Sequence, residues 1–291
     1  MNIAIASGKG GTGKTFISTN LFNVLQKRGL HIALVDCDAE EPNDREFFPG
    51  GVPESSRQVT QQVPVIDESR CTYCGKCAAY CNYNAIFFLE ERRVIRAMDE
   101  LCHGCGACSV ACSYGAISEK EDLLGFVNRY TFSEKSALIE ARMKVGVHSS
   151  VRLIKAAIKE AEGFDLTLSD APPGTACPFI QTVAMADYVV LVTEPTPFGV
   201  SDLHQSVETL RGMDKSFGVI VNRAGLGNND IYAYLQQQHI PLIMRIPFDR
   251  EIAVSYSNGA LVTELCPDWA EQFNQLYHII QEQYGNCHHQ W

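Results

Sequence analysis

A glycine-rich run, Gly8-Lys9-Gly10-Gly11-Thr12-Gly13-Lys14-Thr15, joins a short apolar stretch to a segment with helical apolar spacing. This juxtaposition constrains the fold more than any other feature. Gly8 to Thr15 fits the pattern G-x-x-x-x-G-K-[ST], which has mechanical meaning only between a strand and a helix. Asn2–Ala6 supplies the strand. Thr15–Arg28, with Ile17, Leu21, Val24 and Leu25 apolar, supplies the helix. In that setting Gly8, Gly10, Gly11, Thr12 and Gly13 turn backbone N–H groups toward phosphate, at the positive end of the helix. Lys14 is expected to reach the β/γ-phosphates, and Thr15 to ligate Mg²⁺. Gly29 stops the helix, and His31–Val35 reads as a second strand ending at Asp36. A βαβ opening of this kind predicts a parallel sheet.

The rhythm then breaks. Glu40–Gln62 is polar with several prolines and glycines, and reads as loop and linker. A cysteine block spans Val65–Ser118. Beyond it Ser149–Ala161 reads as helix. Strands follow at Asp165–Ser169 before Asp170, Tyr188–Thr193, Gly218–Val221 before Asn222, and Leu242–Ile246 before Pro247. The predicted organisation is one α/β domain in two parts, residues 1–64 and 119–291, with an inserted domain at 65–118. Lys14, Asp38, Asp170, Asn222 and Pro247 all fall just past the carboxyl ends of predicted strands, the edge where open α/β sheets bind ligands.

Eight of the twelve cysteines lie between Cys71 and Cys112. In a reducing compartment such clustering points to metal rather than disulfides. Cys71-x2-Cys74-x2-Cys77-x3-Cys81 is followed by Cys102-x2-Cys105-x2-Cys108-x3-Cys112. Residues 71–86 and 102–117 are identical at eight of sixteen positions. Each half of this duplication carries the bacterial ferredoxin run, in which the fourth cysteine ligates the other cluster. One [4Fe–4S] cluster is therefore expected on Cys71, Cys74, Cys77 and Cys112, and a second on Cys102, Cys105, Cys108 and Cys81. The alternative is two structural zinc sites, since C-x2-C pairs also bind zinc. The proline that usually follows the fourth cysteine is replaced by Asn82 and Ser113.

With these motifs in place, the chain resembles the MinD/ParA-type ATPases, whose deviant phosphate loop reads G-K-G-G-x-G-K-[ST]. The resemblance covers the chain outside the cysteine block. It implies that Lys9 crosses a dimer interface to the partner's nucleotide, and that Asp36-Cys37-Asp38 is a first switch in which Asp38 orients the attacking water. Asp170-Ala171-Pro172-Pro173-Gly174-Thr175 resembles the second switch of Mrp-type proteins, with Asp170 holding Mg²⁺ through water. Asn222-Arg223 and Ile246-Pro247-Phe248 match adenine-contacting segments. The combined features resemble MinD-superfamily ATPases with an inserted ferredoxin domain. The implied fold is an α/β, mostly parallel SIMIBI-type P-loop domain carrying an α+β bacterial ferredoxin-like insert. The implied cofactors are ATP/ADP, Mg²⁺ and two [4Fe–4S] clusters, and the implied partners are a second copy, with ATP at the interface, and a redox or iron–sulfur client protein.

Net charge is −10, with no Lys/Arg run, which argues against a nucleic-acid partner. No apolar run approaches transmembrane length, and Met1–Ser7 lacks a basic n-region. The expected location is cytoplasmic. Glu271–Tyr284 places Phe273, Leu276, Tyr277 and Ile280 on one helical face. No Lys or Arg lies between Asp268 and Trp291, so docking onto its own domain is expected rather than membrane targeting. Cys37 and Cys177 are expected to be buried packing residues, and Cys287-His288-His289 a frayed tail. The functional expectation is an ATPase that gates electron transfer. The alternatives are an Mrp-type iron–sulfur carrier, a positioning ATPase with structural clusters, and an ATP-dependent amidoligase.

Overall fold

A computed structural model describes residues 1–288, with side chains described through residue 285. The Cys287-His288-His289 tail lies outside the described side chains. The first part of the chain forms β1 (Asn2–Ala6), α1 (Lys14–Lys27), β2 (Ile32–Asp36) and β3 (Val52–Ile66). The cysteine block holds α2 (Lys76–Ala79), β4 (Ile86–Leu89), β5 (Val94–Ala97) and α3 (Ala107–Ala111). The chain returns through β6 (Ile117–Ser133), β7 (Ser136–Met143), α4 (Val151–Glu160), β8 (Leu166–Asp170) and α5 (Cys177–Ala184). It continues with β9 (Tyr188–Thr193), α6 (Pro197–Gly212), β10 (Phe217–Ala224), α7 (Asp230–Gln237) and β11 (Leu242–Pro247). Three helices close it: α8 (Arg250–Ser257), α9 (Val262–Leu265) and α10 (Pro267–His288).

Nine strands form one sheet in the order β11-β10-β9-β1-β8-β2-β7-β6-β3. From β11 to β7 every neighbour pair is parallel. Strands buried on both faces need continuous apolar runs, and β1, β2, β8 and β9 have them. Their side chains alternate between two layers. Ile3, Ile5, Ile32 and Leu34 face α1 and α10, whereas Ala4, Ala6, Val189 and Leu191 face α5, α6 and α7. On that second side α4 covers β2 and β7 through Leu153, Ile154 and Ala157. Helix α10 docks on its own domain as expected, with Phe273, Leu276, Tyr277 and Ile280 buried. Each such aliphatic or aromatic side chain contributes about 1.5–3 kcal/mol over exposure. Among the described residues no helix is long and apolar enough to cross a membrane.

The other end of the sheet departs from the expectation for Glu40–Gln62. Only its first part is loop. From Val52 the chain forms a 15-residue strand paired antiparallel with the 17-residue β6. Pairing along the backbone, not an apolar period, makes it a strand. Pro53 and Pro64 are tolerated because β3 is the edge strand. The expected boundaries at 64/65 and 118/119 fall inside β3 and β6. Strand β7 ends opposite Gly125, where a bulge sets Val59–Thr60 against Gly125 and Leu123. From Thr60 seven residue pairs continue past β7 as a two-stranded ribbon, roughly 20 Å long. Because β3 is antiparallel to β6 and β6 to β7, β3 runs with the parallel strands. The ribbon therefore carries the cysteine block past the same sheet edge as the glycine-rich loop.

Candidate functional site

The glycine-rich loop lies between β1 and α1, as its motif requires. Gly13, at the start of α1, has φ +99°, and a Cβ there would lie 2.4 Å from the Asn222 amide nitrogen. Only glycine meets both conditions. Lys14 is 8% exposed. Burial lowers its pKa, opposed by the nearby Asp170 and Asp38. The Thr15 hydroxyl donates to Asp170 Oδ2 at 2.6 Å, so the two groups expected at Mg²⁺ are already adjacent. The second switch is tied to the loop by Gly174 N–H to Ser7 O, 3.2 Å.

Asp36 organises the first switch. Its carboxylate accepts from the backbone N–H of Asp38 at 3.1 Å, Asn43 at 2.8 Å and Asp44 at 3.0 Å. These bonds fold residues 38–44 back against the end of β2. Asp38 is half-buried near Lys14. Burial raises its pKa and Lys14 lowers it. Asp44, which the sequence reading did not single out, is fully buried, and its carboxyl group faces that of Asp170. Burial raises the pKa of both, that of Asp170 to about 6. As carboxylates neither can donate to the other, and Asp44 Oδ1, Asp44 Oδ2 and Asp170 Oδ1 have no hydrogen-bond partner. These orphaned oxygens beside Thr15 fit a divalent cation, a hard ion that takes oxygen ligands.

Lys9 points within its own chain. Its ammonium donates to Glu194 Oε1 at 2.6 Å and lies 4.0 Å from Asp202. Arg223 holds the other Glu194 oxygen at 2.8 Å and donates to Gly11 O at 3.0 Å, while Asn222 Nδ2 donates to Thr12 O at 2.8 Å. Asn222 and Arg223 thus brace the phosphate loop as well as lining the base-sized cavity beside it. That cavity, about 740 Å³, also has Phe16, Pro247, Phe248 and Tyr256 in its wall.

Cys37 is buried as expected. Cys177 is not: it stands exposed in the first turn of α5. Phe179, Thr182 and Val183 take the inward face of that helix, which leaves Cys177 and the partly exposed Ile180 on the outward one.

In the cysteine block the two halves adopt one backbone twice. Left-handed φ values recur at positions 31 apart: Tyr73 and Gly104, Gly75 and Gly106, Asn84 and Gly115. The N–H of Tyr73 and of Gly104 donates to the sulfur two residues back, Cys71 and Cys102, at 3.4 and 3.3 Å. The N–H of Ala85 and of Ala116 donates to Cys81 and Cys112, each at 3.3 Å. Cys71, Cys74, Cys77 and Cys112 line one recess. Cys81, Cys102, Cys105 and Cys108 line a second. In each, three cysteines come from one run and the fourth from the other. Among the described residues no three His, Cys, Asp or Glu side chains converge tightly enough for one metal ion; the sulfurs surround volumes instead. The protein core between them is small, centred on Cys77, Ile86, Ile95 and Cys108.

The second recess is tied to the main domain. Gln61 donates to Cys102 O at 3.0 Å, and Arg152 of α4 donates to His103 O at 3.3 Å and Gly104 O at 2.9 Å. A polar chain also crosses the sheet. Glu140, buried and in register with Asp36, accepts from Arg142 at 2.8 Å and from Asn128 at 2.9 Å, and Ser56 donates to Asn128 at 2.7 Å. It links the strand of the first switch to the base of the ribbon.

Residues 3–262 match the family model described as the CobQ/CobB/MinD/ParA nucleotide binding domain. An uncharacterized protein of Methanocaldococcus jannaschii is 31% identical over 284 residues, covering 97% of each chain. The septum site-determining protein MinD of Synechocystis is 24% identical over 267 residues, 88% of this chain and 79% of its own. The cell division ATPase MinD of Pyrococcus furiosus superposes with a TM-score of 0.60 at 21% identity, covering 97% of this chain and 98% of that one. The MinD of Pyrococcus horikoshii, solved with Mg-ADP, gives 0.59 at 20% identity, covering 94% and 93%.

Proposed function

The chain belongs to the CobQ/CobB/MinD/ParA nucleotide-binding family and is an ATPase of that family; from this premise we propose that it couples its nucleotide cycle to electron transfer through two [4Fe–4S] clusters. The carrying observation is the crossed arrangement of the eight cysteines around two recesses. Cys71, Cys74, Cys77 and Cys112 would hold one cluster, and Cys102, Cys105, Cys108 and Cys81 the other, in an inserted ferredoxin-like domain near residues 65–118. Backbone N–H groups donate to the sulfurs of Cys71, Cys81, Cys102 and Cys112, the kind of hydrogen bond to sulfur that tunes an iron–sulfur cluster. A volume walled by four sulfurs suits a polynuclear group better than a single zinc ion. When bound, such clusters supply one-electron redox chemistry.

At the other end, the P-loop amides and Lys14 would bind the ATP phosphates, with Mg²⁺ on Thr15 and Asp170. Pro247 and Phe248 would flank the base. Asp38, half-buried near Lys14, would orient the attacking water. Lys9 would leave Glu194 to reach the partner's nucleotide in a homodimer. Residues 38–44 are wired to Asp36, and Asp36 sits beside the Glu140–Asn128–Ser56 chain. Nucleotide-driven change at the switches thus has a path to the ribbon, and α4 offers a second through Arg152.

A second reading is a MinD-like positioning ATPase whose clusters are structural. The relatives named as septum site-determining proteins favour it. An Mrp-type carrier role fits less well, because four protein thiolates per cluster leave no labile position. We place the protein in the cytoplasm, with an unidentified redox or iron–sulfur client. Anaerobic purification tests the reading. About eight irons per chain with reducible [4Fe–4S] EPR signals are expected from this ligation; stoichiometric zinc would overturn it. Signals that are redox-silent within the cellular range would favour the structural reading.

A further inference from the structure

The first switch holds a carboxylate that the proposed Mg²⁺ site does not yet use. Asp44 follows a segment folded back by Asp36, which takes the Asn43 and Asp44 backbone N–H groups. That turn sets the Asp44 side chain against Asp170, at 0% exposure. With both groups ionised, neither Asp44 oxygen has a donor and Asp170 Oδ1 beside them has none; the two carboxyl groups can only share a proton with each other. A buried, unpaired carboxylate is costly unless a cation or a set of donors compensates it. Asp36 does not leave the same debt, since backbone N–H groups fill its oxygens. Lys14 is directed at Asp38 and Asp170 in this cluster, and a phosphate would draw its charge away.

We infer that Asp44 is a third oxygen-bearing partner of the divalent cation, acting with Thr15 and Asp170, either on the metal or on its bound water. This rests on the reading that Mg²⁺–nucleotide binds at Thr15 and Asp170. It gives the first switch a direct hold on the metal, in addition to Asp38. A change in the metal's coordination would then move residues 38–44 as a unit, because Asp36 ties them together.

The test uses the full chain with ADP and Mn²⁺ as an EPR probe. Loss of a group supporting a metal site typically costs about 10–100-fold in metal affinity. Asp44→Asn is expected to weaken Mn²⁺ binding to the protein–ADP complex by that factor, with ADP affinity in EDTA unchanged. The metal-free melting temperature should rise, because the Asn amide can donate to Asp170 where two facing carboxyl groups compete, while the rise on adding Mg²⁺ should shrink. Unchanged Mn²⁺ affinity would overturn the inference, as would a lower metal-free melting temperature with normal metal binding, the signature of a structural acid. Asp44→Ser gives the same readouts in a smaller side chain should the Asn variant not fold. Asp170→Asn is the control. If it too leaves Mn²⁺ affinity untouched, the metal is elsewhere and the underlying reading fails, whatever Asp44 does.

Discussion

The two ends of the nine-stranded sheet are built by different rules. At the parallel end, strands of five or six residues are buried on both faces and held by helices from either side. The phosphate loop and the switch aspartates hang from that packed edge, so their geometry is set before any ligand arrives. At the antiparallel end, β3 and β6 run on past the end of β7, and the cysteine block at the tip has a core of a few side chains. So small a core is marginal without a staple. The nucleotide end is preorganised by burial; the cysteine end, on the reading proposed above, would depend on the clusters its sulfurs hold. The contacts of Gln61 and Arg152, and the ribbon itself, join the two.

The largest test of this contrast is removal of a crossed cysteine. Cys112→Ser and Cys81→Ser should each lose about half the iron, because each cluster is expected to hold four. The cluster lost should belong to the opposite cysteine run, while ATP binding survives. Iron analysis with EPR on each variant reads this out. If Cys112→Ser instead damages the cluster on Cys102, Cys105 and Cys108, the crossed assignment is wrong. Lys14→Ala is the mirror experiment. It should weaken nucleotide binding about 100-fold, as for a charged contact worth about 3 kcal/mol, and leave the iron content intact. Calorimetry of ATP binding beside an iron assay checks both halves. Concurrent iron loss would mean that the two ends are not separable.

Lys9→Ala has a subtler expected effect. Lys9 is held by Glu194 in this chain, so its loss should leave monomer binding largely intact while impairing ATP-dependent dimerisation and hydrolysis. Sedimentation with ATP and a turnover assay decide, and hydrolysis at the wild-type rate would remove the cross-interface role. The smallest effect is expected of Arg152→Ala. Two exposed hydrogen bonds to His103 O and Gly104 O are worth about 1 kcal/mol together. Chelator-driven iron release should speed up for the cluster beside Cys102 and not for the one beside Cys71. Equal acceleration of both would show that the clamp is not local.

The same contrast governs what could be read from the sequence. Strands β1, β2, β8, β9 and the first part of β10 were legible because burial on both faces imposes continuous apolar runs between turn signals, and the edge strand β11 from its short apolar run before Pro247. The pairing of the two cysteine runs was legible because their spacing is local and repeated, and the structure sets three cysteines of one run with the fourth of the other around each recess. The ribbon was not. Val52–Ile66 carries Pro53, Pro64 and polar side chains on both faces, so it looks like linker until its pairing with β6 is seen. Strand β7 is likewise recognisable only from its place between β2 and β6. Asp44 was illegible for a related reason. An aspartate in a polar stretch looks solvated, and only the Asp36-centred turn buries it. Asn222 and Arg223 were placed at the base by motif, whereas their hydrogen bonds also brace the phosphate loop. Cys177 was misjudged because its exposure depends on which face of α5 meets the sheet.

The absence of slack between the two ends makes coupling the central claim. Coupling between two sites is reciprocal in binding free energy and typically about 1–3 kcal/mol. For one electron that is a shift of roughly 40–130 mV, taking ~59 mV per tenfold change. Asp38→Ala should bind ATP without hydrolysing it, and so provides a fixed ATP-bound form. Potentiometric EPR titration of the nucleotide-free protein and of ATP-bound Asp38→Ala measures the shift directly. The account predicts a difference within that range, with a matching change in ATP affinity on reduction. Identical potentials, with ATP affinity unchanged by reduction, would contradict it and leave the clusters as passengers on the ATPase.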